Sequence, residues 1–384
     1  MKLIGTYTHR QGRWQGDGDA VPPLGPDTDH ERTLALVFGA AEQLDDPAPI
    51  AELRALLPRA KLVGASGAGA VSSMDVLDAS ATLALVRFEH TDMAVVGEEV
   101  AAVDDSRAAG IAIARRLVAR EGLSAVYVLA DGLLVNGPEL VQGLNEILPR
   151  GVSLAGGMAG DTVAFQRTWT IVDGVPRQRH VTAVGFYGTR LQMQRGCRGG
   201  SVGFGPRRMV TRSAGNVVYE LDGAPALQLY KDFLGEHASS LPGGASHFPL
   251  SVFRTPQSEA VIRFVLGIDE AAQSITVAGD IPEGSQVQLS RANRSDLLEG
   301  ALQAASEATA GLESGPVLNL VVSCIGRRIV LGEQTEEELE TTVEQLPAGS
   351  MQAGFYSYGE ISASTDRRCD MHNMTLTMTT LAEA

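Results

Sequence analysis

The chain has 384 residues, 44% of them hydrophobic but only 5% aromatic, with 43 glycines and a net charge of −15. At about 150 residues per domain this length predicts two domains, and the acidic excess argues against nucleic acid or an anionic membrane as partner, because both recruit basic patches. Cys197, Cys324 and Cys369 are too scattered for a disulfide framework or a Cys-x-x-Cys metal pair, which favours a reducing cytoplasm; no signal-peptide core opens the chain and no apolar run reaches the ~18 residues of a membrane-spanning helix.

In chain order, residues 1–32 are rich in Gly, Asp, Pro and Gln and predict an irregular N-terminal arm. Thr33 to Phe38 reads as a buried strand. Pro49 opens a helix with Ile50, Leu53, Leu56 and Leu57 on one face, and Pro58 stops it. Lys61-Leu62-Val63 enters a Gly-rich turn ending at Gly69, and 81–88 is the strand beyond. A short strand at 93–96 and a helix at 106–120 lead into a second unit. That unit has a strand at 125–129, a helix at 138–148, a Gly-rich turn to Gly160, and paired strands 168–172 and 181–187 around Asp173-Gly174. A different middle segment follows, with a helix at 224–234 and short strands between 217 and 289; loop-rich 236–246 is the best linker. Asn293 or Ser295 caps a helix over 296–310. The third unit has a strand at 317–322, an acidic helix at 335–346, a turn over Gly354–Gly359 and a last strand at 375–381.

The units repeat one another. Leu57-Pro58-Arg59 recurs as Leu148-Pro149-Arg150 and, more loosely, as Leu346-Pro347; Leu57 to Leu148 and Gly69 to Gly160 are both 91 residues apart. The pattern predicts an α/β fold: two modules with mixed β-sheets flanked by helices, built partly from repeated strand–helix–strand–Gly-turn–strand units whose turns converge on a site. Such turns either present N–H groups to a ligand or permit tight strand packing. Nucleotide and hydrolase motifs are missing: no Gly-Lys-Ser/Thr follows a turn, no Gly-x-Gly-x-x-Gly opens a helix, and Gly64-Ala65-Ser66-Gly67-Ala68 lacks the last Gly of a nucleophile elbow.

Five motifs in order resemble the FIST family of sensory proteins. Val63-Gly64-Ala65-Ser66 with Gly69, and Ala155-Gly156-Gly157-Met158-Ala159-Gly160-Asp161, are similar to the two Gly-rich signatures of its N-terminal module. Ser323-Cys324-Ile325-Gly326-Arg327-Arg328, Gly354 to Ile361, and His372-Asn373-Met374-Thr375 are similar to its C-terminal module. The first motif departs from the family pattern at Ala65, Gly67, Ala70 and Val71. The resemblance implies modules at 33–220 and 221–384 and a non-enzymatic ligand sensor rather than a catalyst. The family's general ligand is an amino acid or related metabolite. One group of stand-alone members carries haem b, senses nitric oxide and modulates a separate histidine kinase or cyclic-di-GMP enzyme; with no output segment visible here, this is the expected type.

Within that frame His372 is the candidate axial ligand of haem iron, with Glu360 as its orienting carboxylate; the alternative is a histidine that braces the adjoining turn. A covalent haem is excluded, because no Cys-x-x-Cys-His occurs. Aligned on their glycines, the turns place Asp161 and Glu360 in equivalent positions, with Ala70 in the first copy, and such a carboxylate accepts a ligand ammonium or caps a neighbouring helix N-terminus. Tyr356, Tyr358, Gly157 and Asn373 complete the expected binding surface, and Arg327 is placed either to pair a carboxylate or for a structural ion pair. His180 precedes a strand of unit two as His372 does in unit three. A Cys324–His372–Glu360 nucleophilic set is the enzymatic alternative.

Overall fold

The computed structural model describes residues 1–384 except 173, 242, 259, 313–314 and 364–368. Three mixed sheets share one topology. In the first, Thr33–Gly39 and Lys61–Ser66 are parallel strands joined by the helix Ala48–Leu56, Thr82–Arg87 runs antiparallel beside Thr33–Gly39, and Lys2–Arg10 lies outside it. The second repeats this with Leu123–Ala130, Ser153–Met158, the helix Gly137–Ile147, His180–Tyr187 and Asp92–Glu99. The third uses Leu318–Cys324, Met351–Ser357, the helices Ile325–Leu331 and Glu336–Val343, Leu376–Glu383 and Leu191–Arg198.

After each Gly-rich turn the chain crosses to the next sheet. Ala70–Ser72 pairs with Met351–Ser357, Thr170–Val172 with Lys61–Ser66, and Gly359–Ala363 with Ser153–Met158. The exchange closes a pseudo-threefold ring of sheets around one core, where Phe38 stacks on Phe355 at 5.0 Å between ring centres and Phe88 meets Phe186 edge-on. Helices cover the outer faces. Asn136 and Asn293 cap Gly137–Ile147 and Arg294–Thr309 through their side-chain oxygens.

One glycine per repeat is sterically required. A Cβ on Gly64, Gly156 or Gly354 would lie 2.1, 1.8 or 1.8 Å from the carbonyl oxygen of Val37, Val128 or Val321 on the neighbouring parallel strand. These positions define the true alignment. The helices, and the strands Thr33–Gly39 and Leu123–Ala130, of units one and two are 91 residues apart in register, but Lys61–Ser66 and Ser153–Met158 are 92 apart, because the second helix-to-strand turn carries one more residue.

Three expectations change. Residues 1–32 are not an irregular arm: Lys2–Arg10 is the first strand of repeat one, its polar residues facing outward or into a sheet junction. The strands after the second turn are not a pair, since Thr170–Val172 crosses to the first sheet while His180–Tyr187 stays in the second; of the turn assigned between them, Asp173 lies outside the described residues. The middle segment is an inserted sheet reaching from Val202–Ala214 to Gln286–Arg291, in which Val217–Leu221 pairs with strands on both sides of position 220. The sheets therefore do not break at 220, and Leu191–Arg198, early in the sequence, completes the third repeat. The 236–246 stretch forms short helical turns within that insertion. Among the described residues no helix is long and apolar enough to cross a membrane.

Candidate functional site

The three turns do converge, on each other. Ala68 N–H donates to the carbonyl of Tyr356 at 2.8 Å, Gly160 N–H to that of Ser66 at 2.9 Å, and Tyr358 N–H to that of Met158 at 3.2 Å. By strand register these are equivalent donors and equivalent acceptors, so they close a cyclic ring around the pseudo-threefold axis. The preceding amides of Gly67 and Ala159 bond the carbonyls of Gly39 and Ala130. Amides spent in this way cannot cradle a ligand anion.

The side chains of the third turn are committed as well. Tyr356 is fully buried and its hydroxyl donates to Glu338 Oε1 at 2.7 Å, an oxygen that also accepts from Ser323 at 2.9 Å. Arg327 completes this network. Its Nε and Nη2 both lie 2.9 Å from Glu338 Oε2, and its remaining N–H groups bond the carbonyls of Gly199 and Leu297, with neither ion-pair partner exposed. Arg327 and Tyr356 therefore form a closed structural network rather than a ligand surface. Gly157 packs into the central core, where a Cβ would meet Val322 at 2.6 Å. Tyr358 donates to Asp161 and to the carbonyl of Thr162, and stacks on Phe165. Asp161 accepts the backbone N–H groups of Phe165, Gln166 and Arg167; burial alone would raise its carboxyl, but these bonds and Tyr358 hold it below the ordinary range.

Register also separates Asp161 from Glu360. Glu360 stands opposite Gly157, Ala70 opposite Phe355 and Thr170 opposite Ala65, so Glu360 matches Ala70 and Thr170, while Asp161 matches Gly69 and Gly359. Glu360 is fully buried, accepting from Ser357 Oγ at 2.6 Å and from Thr375 Oγ1 at 2.8 Å. Burial raises its carboxyl to about 8 against the pull of those hydrogen bonds. Its side chain does not orient His372, although the two residues are cross-strand neighbours. Asn373 donates to the carbonyl of Tyr358 at 3.1 Å, leaving its buried Oδ1 without a partner among the described residues. His180 bonds the carbonyl of Gln178 at 2.6 Å in its own loop.

His372 lies elsewhere, on the wall of a cleft of about 1560 Å³. The cleft opens between the helix Gly137–Ile147, the end of Leu191–Arg198, the antiparallel strands Gly359–Ala363 and Cys369–His372, and the inserted sheet around Arg254 and Ile262. The His372 ring sits 3.4 Å from the carbonyl of Ser362, and burial holds its pKa below the ordinary value, which keeps it neutral near pH 7. Cys197, Ser362, Thr375 and Cys369 line the same cleft. Burial raises both thiols, Cys197 to about 11, so neither is a thiolate at neutral pH. Arg254 pairs with Asp370 at 2.8 Å, Arg198 with Glu307 and Arg107 with Glu146. Arg195 differs. Its Nη1 bonds only the carbonyl of Leu154 at 3.0 Å, and no carboxylate pairs with it among the described residues.

The Cys324–His372–Glu360 set is not assembled: Cys324 is buried outside the cleft lining with its thiol raised by burial, and both Glu360 oxygens are engaged elsewhere. Arg195, Cys197 and Ser362 escape sequence reading because they belong to strands whose repetition is topological, with no shared residues. The equivalence of Lys2–Arg10, Asp92–Glu99 and Leu191–Arg198 is the signal that leads to Arg195 and Cys197, and that of the crossing strands leads to Ser362.

Comparison with known proteins agrees with two modules in sequence. The FIST N domain model matches residues 33–224 and the FIST C domain model residues 226–363. Two uncharacterized proteins of Mycobacterium tuberculosis, from strains CDC 1551 / Oshkosh and H37Rv, are each 27% identical over 259 residues; the match covers 62% of this chain and spans 63% of the length of each relative. Among solved structures, a cyanuric acid hydrolase from A. caulinodans aligns over 77% of this chain and 68% of its own at 12% identity with a TM-score of 0.23, a likeness that defines neither fold nor activity.

Proposed function

Because the chain belongs to the FIST family, whose domains are small-ligand sensory modules in signal transduction, we propose that its ligand enters the cleft beside His372 and that the ligand is an amino acid or a related small metabolite. The carrying observation is Arg195, a half-buried guanidinium on the cleft wall with no carboxylate partner among the described residues. A cation so placed favours an anionic or zwitterionic guest. The walls come from repeats two and three and from the inserted sheet, so the cleft lies where the three meet. Occupancy then biases their relative disposition, and the signal passes to a separate protein such as a histidine kinase or a cyclic-di-GMP enzyme.

His372 supports a second reading, haem b with nitric oxide as the sensed gas. Its neutral imidazole would be the axial ligand, Arg195 and Arg254 would face the propionates, and Val141, Val261 and Ile262 supply apolar wall. Bound haem would provide the iron that takes up the gas. The charged and hydroxylic remainder of the lining ranks this reading second. A thermal-denaturation panel of amino acids, run beside an absorption spectrum of protein produced with haem supplied, separates the two. Stabilisation by an amino acid in a colourless protein supports the first. A Soret band that shifts with nitric oxide and vanishes in His372→Ala overturns it in favour of the second.

A further inference from the structure

Each neighbouring pair of sheets meets at a junction, and register makes the three junctions equivalent. Thr8, Gly97 and Cys197 stand opposite Thr82, Thr182 and Thr377, and those three threonines stand opposite Phe38, Leu129 and Val322. Across each junction the crossing strand contributes Ser72, Val172 or Ser362, two residues beyond the matched set Ala70, Thr170 and Glu360.

The first two junctions are filled by the chain itself. In the first, the carboxylate of Asp17 bridges the pair: Thr8 Oγ1 donates to Oδ1 at 2.8 Å and Ser72 Oγ to Oδ2 at 3.0 Å. In the second, Val172 closes on Gly97, where a Cβ would meet its methyl at 3.0 Å. In the third, Cys197 and Ser362 line the cleft. Arg195 stands there two residues before Cys197, at the position of Thr6 and Val95. The junction threonines differ in the same way. Thr82 donates to the carbonyl of Phe38 at 3.5 Å and Thr182 to that of Ile171 at 2.7 Å, whereas the fully buried Thr377 hydroxyl meets no carbonyl among the described residues and turns to the Cys197 thiol across the strand pair.

We infer that the third junction holds the carboxylate of a free ligand where the first holds Asp17. Ser362 Oγ and the Cys197 thiol donate to it, as Ser72 and Thr8 do to Asp17, and Arg195 supplies the positive charge that the buried carboxylate requires. The internal carboxylate of the first junction is thus a covalent copy of the ligand group. The inference rests on the cleft being the ligand site and adds to it which group enters first and onto which atoms.

The test is calorimetric titration of the full chain with each L-amino acid, its carboxamide and its decarboxylated amine. An acid that binds while its carboxamide and amine bind about tenfold or more weaker is expected, since hydrogen bonds to a charged acceptor carry that much discrimination. Ser362→Ala weakens the acid by about tenfold and leaves the carboxamide unchanged. Cys197→Thr, which copies the first junction, holds the acid at least as tightly as the wild type, and Cys197→Gly with Ser362→Val, which copies the second, abolishes binding. Each variant is first checked for an unchanged melting temperature, and Cys197→Thr decides the matter where Ser362→Ala fails to fold. Equal binding of acid and carboxamide overturns the carboxylate assignment while leaving the cleft as the site. No binding by any member of the three series overturns both.

Discussion

The ring of Gly-rich turns and the cleft beside it come from the same repeat and are chemical opposites. In the ring, three equivalent amides meet three equivalent carbonyls, and Tyr356 and Arg327 of the third repeat end on buried Glu338 and on carbonyls. In the cleft, the Arg195 guanidinium lacks a carboxylate among the described residues. Where the three copies stay alike they build scaffold. Where they diverge, at Thr8, Gly97 and Cys197, the third junction lines the cleft among the described residues.

Glu360 sits between the two regions, bonded to Ser357 of the turn and to Thr375 of the cleft wall, and gives the largest expected effect. The folded chain keeps its proton to about pH 8, whereas an unfolded glutamate releases it near 4.5. This contribution is therefore fully present below about pH 4.5 and is lost as pH rises towards 8. At ~1.4 kcal/mol per pKa unit the window spans at most about 5 kcal/mol. Glu360→Gln, which can still donate and accept, removes this slope from urea-unfolding free energies measured across the window. An unchanged slope would mean that the carboxylate is ionised in the fold.

Next comes the closed network. Arg327→Met strands Glu338 in the core and should cost about 3–5 kcal/mol in denaturant unfolding, without changing ligand affinity at a temperature where the variant stays folded. Lost affinity in a stable Arg327→Met protein would move the site to the ring. A smaller loss, about 1–3 kcal/mol, is expected for Gly354→Ala, whose new methyl presses on the carbonyl of Val321.

Much of this scaffold was legible in the residues. Apolar runs such as Thr33–Phe38 and Val317–Val322, helices bounded by Pro58 or capped by Asn293, and the Gly spacing marked strands, helices and turns in all three units. Hidden was the crossing of each post-turn strand to another sheet, because hydrophobic periodicity reports which face is buried and is silent on the partner. Lys2–Arg10 was hidden for a related reason: Thr8 and Arg10 point into or beside a junction filled by Asp17, so the strand lacks the apolar alternation of a sheet that faces only a core. The same blindness misassigned the chemistry. Arg327, Tyr356 and Asp161 are ligand-like residue types that fold consumes internally, and His372 alone among the histidines singled out lines the cleft.

The smallest effect sharpens the comparison most. Asp17→Asn keeps the size of the side chain and one acceptor oxygen, and its amide can donate where the second carboxylate oxygen accepted; the site is also partly open to solvent, with Arg10 4.0 Å away. Exchanging one charged hydrogen bond for a neutral one there should lower stability by only about 1 kcal/mol. Because the first and third junctions share no residue and meet the third sheet at opposite ends, the change should leave ligand affinity in the cleft untouched in the same titrations. If Asp17→Asn instead alters that affinity, the junctions move together, and the pseudo-threefold ring transmits occupancy from one sheet to the next rather than standing as an inert frame around its open side.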